Sequence, residues 1–262
     1  MAARQLAARR FAITGTPVLM YHDVSASSPR DRWAVTLSNF SEQLAALREA
    51  GFSSTDFDCM AEGSSDRCVV LTFDDGIASH YDHVFPALVE GDYRATFFVS
   101  TALVGNPGYL TCSQIREMSD AGMQFGSHGH FHTDYSCLEP SIALHQLRGS
   151  RCSLEDVISK PITSFSAPYG FLSNALLECA RSAGFEHVYS SRPWLATTRN
   201  AVIPRIAIYS DTSIPELLAI VEGELAPILS RLARHALLYA PKQLLLRAWP
   251  HGLGVNVQET AR

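Results

Sequence analysis

The chain has 262 residues, of which 47% are hydrophobic and 18% charged, with a net charge of −5 at neutral pH. That apolar share is too high for a disordered chain, the acidic balance argues against a dedicated nucleic-acid binder, and no apolar run approaches the roughly 20 residues that span a bilayer. The length suits one large domain, about the size of an α/β barrel, with an appendage. Residues 1–14 carry Arg4, Arg9 and Arg10 with no apolar core behind them, so no secretory signal is read there and a cytoplasmic location is expected. Six cysteines, at 59, 68, 112, 137, 152 and 179, form no CxxC pair; reduced thiols are expected rather than a zinc ribbon.

The predicted elements alternate. Pro17–His22 reads as a short buried strand. Asn39–Ala50 spaces Phe40, Leu44 and Leu47 as a helix does, and Gly51 ends it. Cys68–Phe73 is a second buried strand, closed by Asp74-Asp75-Gly76. A helix over Tyr81–Glu90, a strand over Ala95–Ser100 and a helix over Cys112–Ala121 follow. Met123–Ser127 is a strand running into His128-Gly129-His130-Phe131-His132. Then come a long helix (Ser141–Val157), a strand (Ile162–Ala167) ending at Pro168-Tyr169-Gly170, and a helix (Asn174–Ala183) stopped by Gly184. His187–Ser190 and Ile203–Ile208 are further strands. Strands and helices alternating at this spacing imply parallel strands joined by crossover helices. Each polar cluster falls after a strand, where the loops of such folds converge into sites.

Residues 226–251 carry Arg231, Arg234, Lys242 and Arg247 with no acidic residue, on a leucine-rich background. A helix packed on the barrel with its basic residues in water is one reading. An amphipathic helix making peripheral contact with an anionic membrane surface, at its inner face, is the other.

Two clusters invite a metal. Histidines four apart can place two imidazoles on one side of a turn, and a strand-end carboxylate completes a three-ligand set that leaves positions open for water and substrate. Adjacent residues of an extended strand point to opposite sides. Where the chain turns after Phe73, both aspartates can reach one site, one as ligand and one as base. Singly, an Asp-Asp-Gly is most often a turn and a histidine pair is as often structural.

Leu71-Thr72-Phe73-Asp74-Asp75-Gly76 resembles the first motif of the polysaccharide deacetylases, the carbohydrate esterase family with the NodB-homology domain. Gly126–His132 resembles the second, a His-x-x-x-His, and Phe165–Gly170 the third, an Arg-x-Pro-Tyr. The resemblance covers about residues 15–210. It implies an α/β fold, a distorted (β/α) barrel, as a catalytic domain over 15–212 with a helical C-terminal extension over 213–262. It implies removal of acetyl groups from N-acetylated sugars of a poly- or oligosaccharide, with Asp75, His128 and His132 holding a divalent metal, usually Zn2+. Asp74 would be the base, and the backbone N–H of Tyr169 would help hold the oxyanion.

Two departures matter. Ser166 stands where the family motif has Arg. Arg205, in Ile203-Pro204-Arg205-Ile206, is the candidate for the missing charge, against an ordinary surface ion pair. No C-terminal Leu-x-His follows to supply an acid. Val18-Leu19-Met20-Tyr21-His22 instead resembles the permuted branch of the family, which includes the poly-N-acetylglucosamine deacetylases, and makes His22 the candidate acid against a core histidine. His130 is assigned to solvent or to support of the site rather than to the metal, and His80 and His83 to a helix face. Tyr21, Pro168 and Tyr169 are candidate substrate contacts, with Asp23, Trp33 and Phe131 as further lining. An esterase acting on O-acetyl groups, a small-amide hydrolase and a catalytically inactive carbohydrate-binding domain remain as alternatives. No Gly-x-Ser-x-Gly elbow is present.

Overall fold

A computed structural model describes residues 13–29, 31–57 and 67–248, with side chains to residue 237. Its centre is a parallel sheet curled into a distorted barrel. The strands are β1 (Val18–Tyr21), β2 (Asp23–Ser25), β3 (Ala34–Thr36), β4 (Ser53–Ser54), β5 (Cys68–Phe73), β6 (Thr96–Val99), β7 (Gln124–Ser127), β8 (Ser164–Ser166), β9 (His187–Tyr189) and β10 (Ile206–Ala207). They run in the order β10-β1-β5-β6-β7-β8-β9, with β4 beside β5 and a separate parallel pair β2–β3. The first strand in sequence is therefore an inner strand of the sheet.

Residues 203–207 close the ring. Ile203 bridges Tyr189 of β9, while Ile206 and Ala207 pair with Leu19 and Met20 of β1. The strand expected over Ile203–Ile208 is interrupted because Pro204 has no N–H to give the ladder. Arg205 sits at this seam, its N–H bound to the Arg192 carbonyl at 3.1 Å.

Period-2 alternation sorts the strand residues. Leu19, Tyr21, Leu71, Phe73, Phe97 and Phe165 face the surrounding helices in the main core. Val18, Val70, Phe98 and Tyr189, with Phe57 and Ile203, fill the barrel interior. Gly126 of β7 is required there: a Cβ would lie 2.6 Å from the Phe98 ring.

The helices are α1 (Leu37–Glu49), α2 (Phe85–Gly91), α3 (Cys112–Asp120), α4 (Pro140–Ile158), α5 (Asn174–Ser182), α6 (Ile214–Val221) and α7 (Leu225–Ala248). Thr36 caps α1 by accepting from the Asn39 N–H, so that helix starts two residues before the expected position. The helix expected over Tyr81–Glu90 is continuous, a π-turn over His80–Val84 leading into α2. Pro86 lacks the N–H that α geometry would use there.

The extension is joined to the barrel. Leu217, Ile220 and Ile228 are fully buried in the main core. Arg231 is only 7% exposed, which corrects the reading of all four basic residues as solvated. It donates to the Ala207 carbonyl, to Thr212 Oγ1 at 3.0 Å and to Glu216 Oε1 at 2.8 Å. The side chains of Lys242 and Arg247, and all of residues 249–251, lie outside the described residues. No described helix is long and apolar enough to cross a membrane. The cysteines at 112, 137, 152 and 179 are free thiols, and Cys59 lies outside the described residues.

Candidate active site

The C-terminal ends of β1, β5, β7 and β8 meet at one mouth of the barrel. Asp74 continues the inward face of Val70 and Thr72 and is 3% exposed. Asp75, at φ 81°, and Gly76, at φ 69°, then turn the chain. This brings the second carboxylate back to the side of the first. Gly76 admits no side chain, since a Cβ would stand 2.9 Å from Val99.

Asp75, His128 and His132 each offer one ligand atom, and the three atoms lie within 4.8 Å of one another. Asp75 Oδ1 is 3.3 Å from His128 Nε2 and 3.1 Å from His132 Nε2. It is buried and has no well-aligned hydrogen bond to either ring. Three lone-pair donors converging on one point fit a divalent cation. His128 Nδ1 donates to the Ser166 carbonyl at 2.7 Å, which selects the tautomer that leaves Nε2 free as a ligand. Burial alone would raise the Asp75 pKa, but the two imidazoles hold it well below the ordinary carboxylate range. Burial alone would lower that of His132, yet Asp75 holds it above its ordinary value.

Asp74 is gripped by Arg205, which is fully buried. Nη1 and Nη2 each donate to one carboxylate oxygen at 2.7 Å. The other donors reach Ser166 Oγ at 2.7 Å, Thr72 Oγ1 at 3.2 Å and the Ser190 carbonyl at 3.1 Å. All five guanidinium N–H donors are thus used. The alternative of a surface ion pair for Arg205 is excluded by this burial. The departure at Ser166 is explained as well: a small side chain leaves room for a guanidinium arriving from the seam. Burial pushes the Asp74 pKa up, but Arg205 more than offsets this and keeps it below its ordinary value.

His22 follows β1 on the inward face. Its ring lies 4.4 Å from that of Trp33, and its buried Nδ1 has no partner among the described residues. Burial lowers its pKa against the opposing pull of Asp75 and Asp74. Tyr169, at φ 60° and 55% exposed, sets its ring 4.8 Å from that of His132 and donates from its hydroxyl to the His132 carbonyl at 3.4 Å. A cleft of about 460 Å3, whose lining includes Asp23, Val24, Ile77, Ser79 and His83, lies beyond the end of β1. A more apolar one of about 660 Å3, lined by Leu172, Trp194, Leu229 and Leu232, starts at Gly170.

Several expected contacts lie elsewhere. Tyr21 is fully buried on the helix-facing side, donating to Gln43 Oε1 at 3.0 Å, and burial pushes its pKa up. Strand alternation requires this: if His22 faces the site, its neighbour cannot. Pro168 is buried and shapes the turn that presents Tyr169. His130 turns away from the triad, its Nδ1 2.9 Å from Thr101 Oγ1. His80 lies on the helical turn as expected, on its inward face: it is fully buried, with Nε2 2.7 Å from the His22 carbonyl. The stripe Ile77, His80, Val84, Leu88 already marked its inward position.

The family model for polysaccharide deacetylase matches residues 61–188. YxkH of Bacillus subtilis (strain 168), named as a polysaccharide deacetylase, is 25% identical over 190 residues, 69% of this chain and 66% of that protein, just under two thirds of its length. Among solved structures, the Streptococcus pyogenes deacetylase PplD, in complex with acetate, superposes with a TM-score of 0.75 at 24% identity, covering 79% of this chain and 98% of that one. IcaB from Ammonifex degensii gives 0.72 at 24% identity, covering 80% and 98%. The matched motifs, the shared barrel and the ligand triad at its mouth agree: the chain is similar to the polysaccharide deacetylase family over residues 61–188 and shares the barrel fold of solved deacetylases.

Proposed function

We propose that the chain is a metal-dependent hydrolase that removes acetyl groups from N-acetylated sugars of a poly- or oligosaccharide. The observation that carries this reading is the division of labour between adjacent carboxylates: Asp75 faces two imidazoles, while Asp74 is held ionised by Arg205 beside them. A divalent cation on Asp75, His128 and His132, with zinc the best match to two imidazoles and a carboxylate, would polarise the acetyl carbonyl and acidify water. Asp74 accepts the proton of the attacking water, its orientation fixed by both Arg205 nitrogens. The Tyr169 turn contributes a backbone N–H to the oxyanion.

His22 gives a proton to the departing nitrogen. Burial lowers its pKa, which makes the protonated ring the stronger donor. An amine needs that proton far more than an alcohol does, so His22 favours N-acetyl over O-acetyl substrates. The inactive-domain alternative rested on Ser166, and Arg205 supplies the charge missing there. Trp33, Tyr169 and the cleft beside Asp23 are the sugar contacts in this reading.

The test is acetate release from a panel of N- and O-acetylated sugars with metal content measured on the same sample. Loss of turnover on chelation, and in Asp74→Ala and His128→Ala, is the expected outcome. Turnover persisting in the double variant would refute it.

A further inference from the structure

A second histidine lies behind the first. His80 is 0% exposed, and its Nε2 is 2.7 Å from the carbonyl oxygen of His22. A carbonyl only accepts, so Nε2 carries the proton and donates it. The ring packs against Phe73 at 5.6 Å and Phe97 at 5.5 Å. Its Nδ1 is buried with no partner among the described residues. Burial also pushes its pKa down to about 4, so the ring is neutral at neutral pH. An orphaned ring nitrogen in a phenylalanine-lined space is unfavourable, and leucine would fill the same volume without that cost. The residue opens the π-turn His80–Val84, an irregular element that recurs at functional sites.

The one hydrogen bond this ring makes to a described group falls on His22. The His22 ring itself has a buried, unpartnered Nδ1, so its direction is set by Trp33 and by its own backbone. On the other side of β1, the Asp74 N–H binds the Tyr21 carbonyl at 3.0 Å. The His80 bond thus anchors the first peptide beyond the sheet ladder.

We propose that His80 is a positioning residue whose Nε2–H···O=C bond to His22 aims the His22 ring at the leaving nitrogen. The inference rests on His22 being the proton donor proposed above. It makes a prediction that a merely structural role does not. An amine leaves only with a proton, whereas 4-nitrophenolate leaves without one. Misaiming His22 therefore harms amide hydrolysis and spares hydrolysis of an aryl ester at the same site.

The experiment compares the metal-loaded enzyme with His80→Leu, His80→Met, His80→Gln and His22→Ala, using an N-acetylated oligosaccharide and 4-nitrophenyl acetate. His80→Leu is expected to lower kcat on the amide by about tenfold or more, with KM and the aryl ester rate within about twofold. His80→Gln keeps an N–H donor and is expected to recover most of the loss. His80→Met is the second donor-free variant if the leucine chain does not fold. An unchanged amide kcat, or equal loss on both substrates, overturns the inference. Amide-selective loss in His22→Ala alone overturns it while sparing the proton-donor reading. No such loss in His22→Ala overturns both.

Discussion

Arg205 shows most plainly how one side chain decides the site. Its five donors are all used, two of them on Asp74, and the pair is almost wholly out of water. Removing one member of such a pair strands the other. Arg205→Ala is expected to cost about 3–5 kcal/mol in denaturant unfolding and to abolish acetate release. Arg205→Lys is expected to recover little of either, because an ammonium cannot span both carboxylate oxygens while reaching Ser166 and Thr72. His80 adds a pH effect. Its pKa falls from 6.5 unfolded to about 4 folded, so between those values the unfolded chain binds more protons. Stability from this group is complete above about pH 6.5 and is lost as the pH falls toward 4, by a total of roughly 3 kcal/mol. Unfolding free energies at pH 7.5 and 5, compared between the wild-type chain and His80→Gln, measure it: the variant should lose less on acidification.

At the scale of elements, the site depends on turns that few residues can make. Asp74 and Asp75 share a site only because the chain leaves extended geometry at Asp75. The histidine loop turns at Gly129, at φ 81°, where a Cβ would lie 2.5 Å from the Tyr135 ring. Gly129→Ala therefore strains the backbone and pushes on the ring that hydrogen-bonds the His130 N–H. Its expected effect is a fall in zinc affinity of about tenfold or more by calorimetric titration, with the barrel still folded by circular dichroism. Most elements were legible in the residues because their signals are local: short continuous apolar runs mark β1 and β5, and helical spacing of Phe40, Leu44 and Leu47 marks α1. The helix expected over Tyr81–Glu90 is continuous, its first turn in π rather than α geometry. One element was misjudged for a local reason as well: Pro204 breaks the strand expected over Ile203–Ile208.

At the scale of the whole molecule, the sheet order brings β1 between β5 and β10 and so carries His22 to the mouth formed by β5, β7 and β8. The basic segment is tied into the same body. Arg231 is buried and bonded to Thr212, Glu216 and the β10 carbonyl of Ala207, whereas Arg234 is exposed. Arg231→Ala is expected to cost about 2 kcal/mol or more and Arg234→Ala less than about 0.5, read by thermal or denaturant unfolding. Local spacing determined the alternating α/β plan and the pairing of a strand-end Asp-Asp with two histidines four apart, because strand period, turns and ligand spacing are properties of a few adjacent residues; the resemblance to the deacetylase motifs then singled out Asp75 as ligand and His22 as the candidate acid. Only the tertiary structure decided that Arg205 grips Asp74 from 131 positions away, that Tyr21 turns outward and that His80 stands behind His22. Those facts depend on where the barrel closes and which strand face meets which helix, and chain closure joins residues between which no local pattern runs.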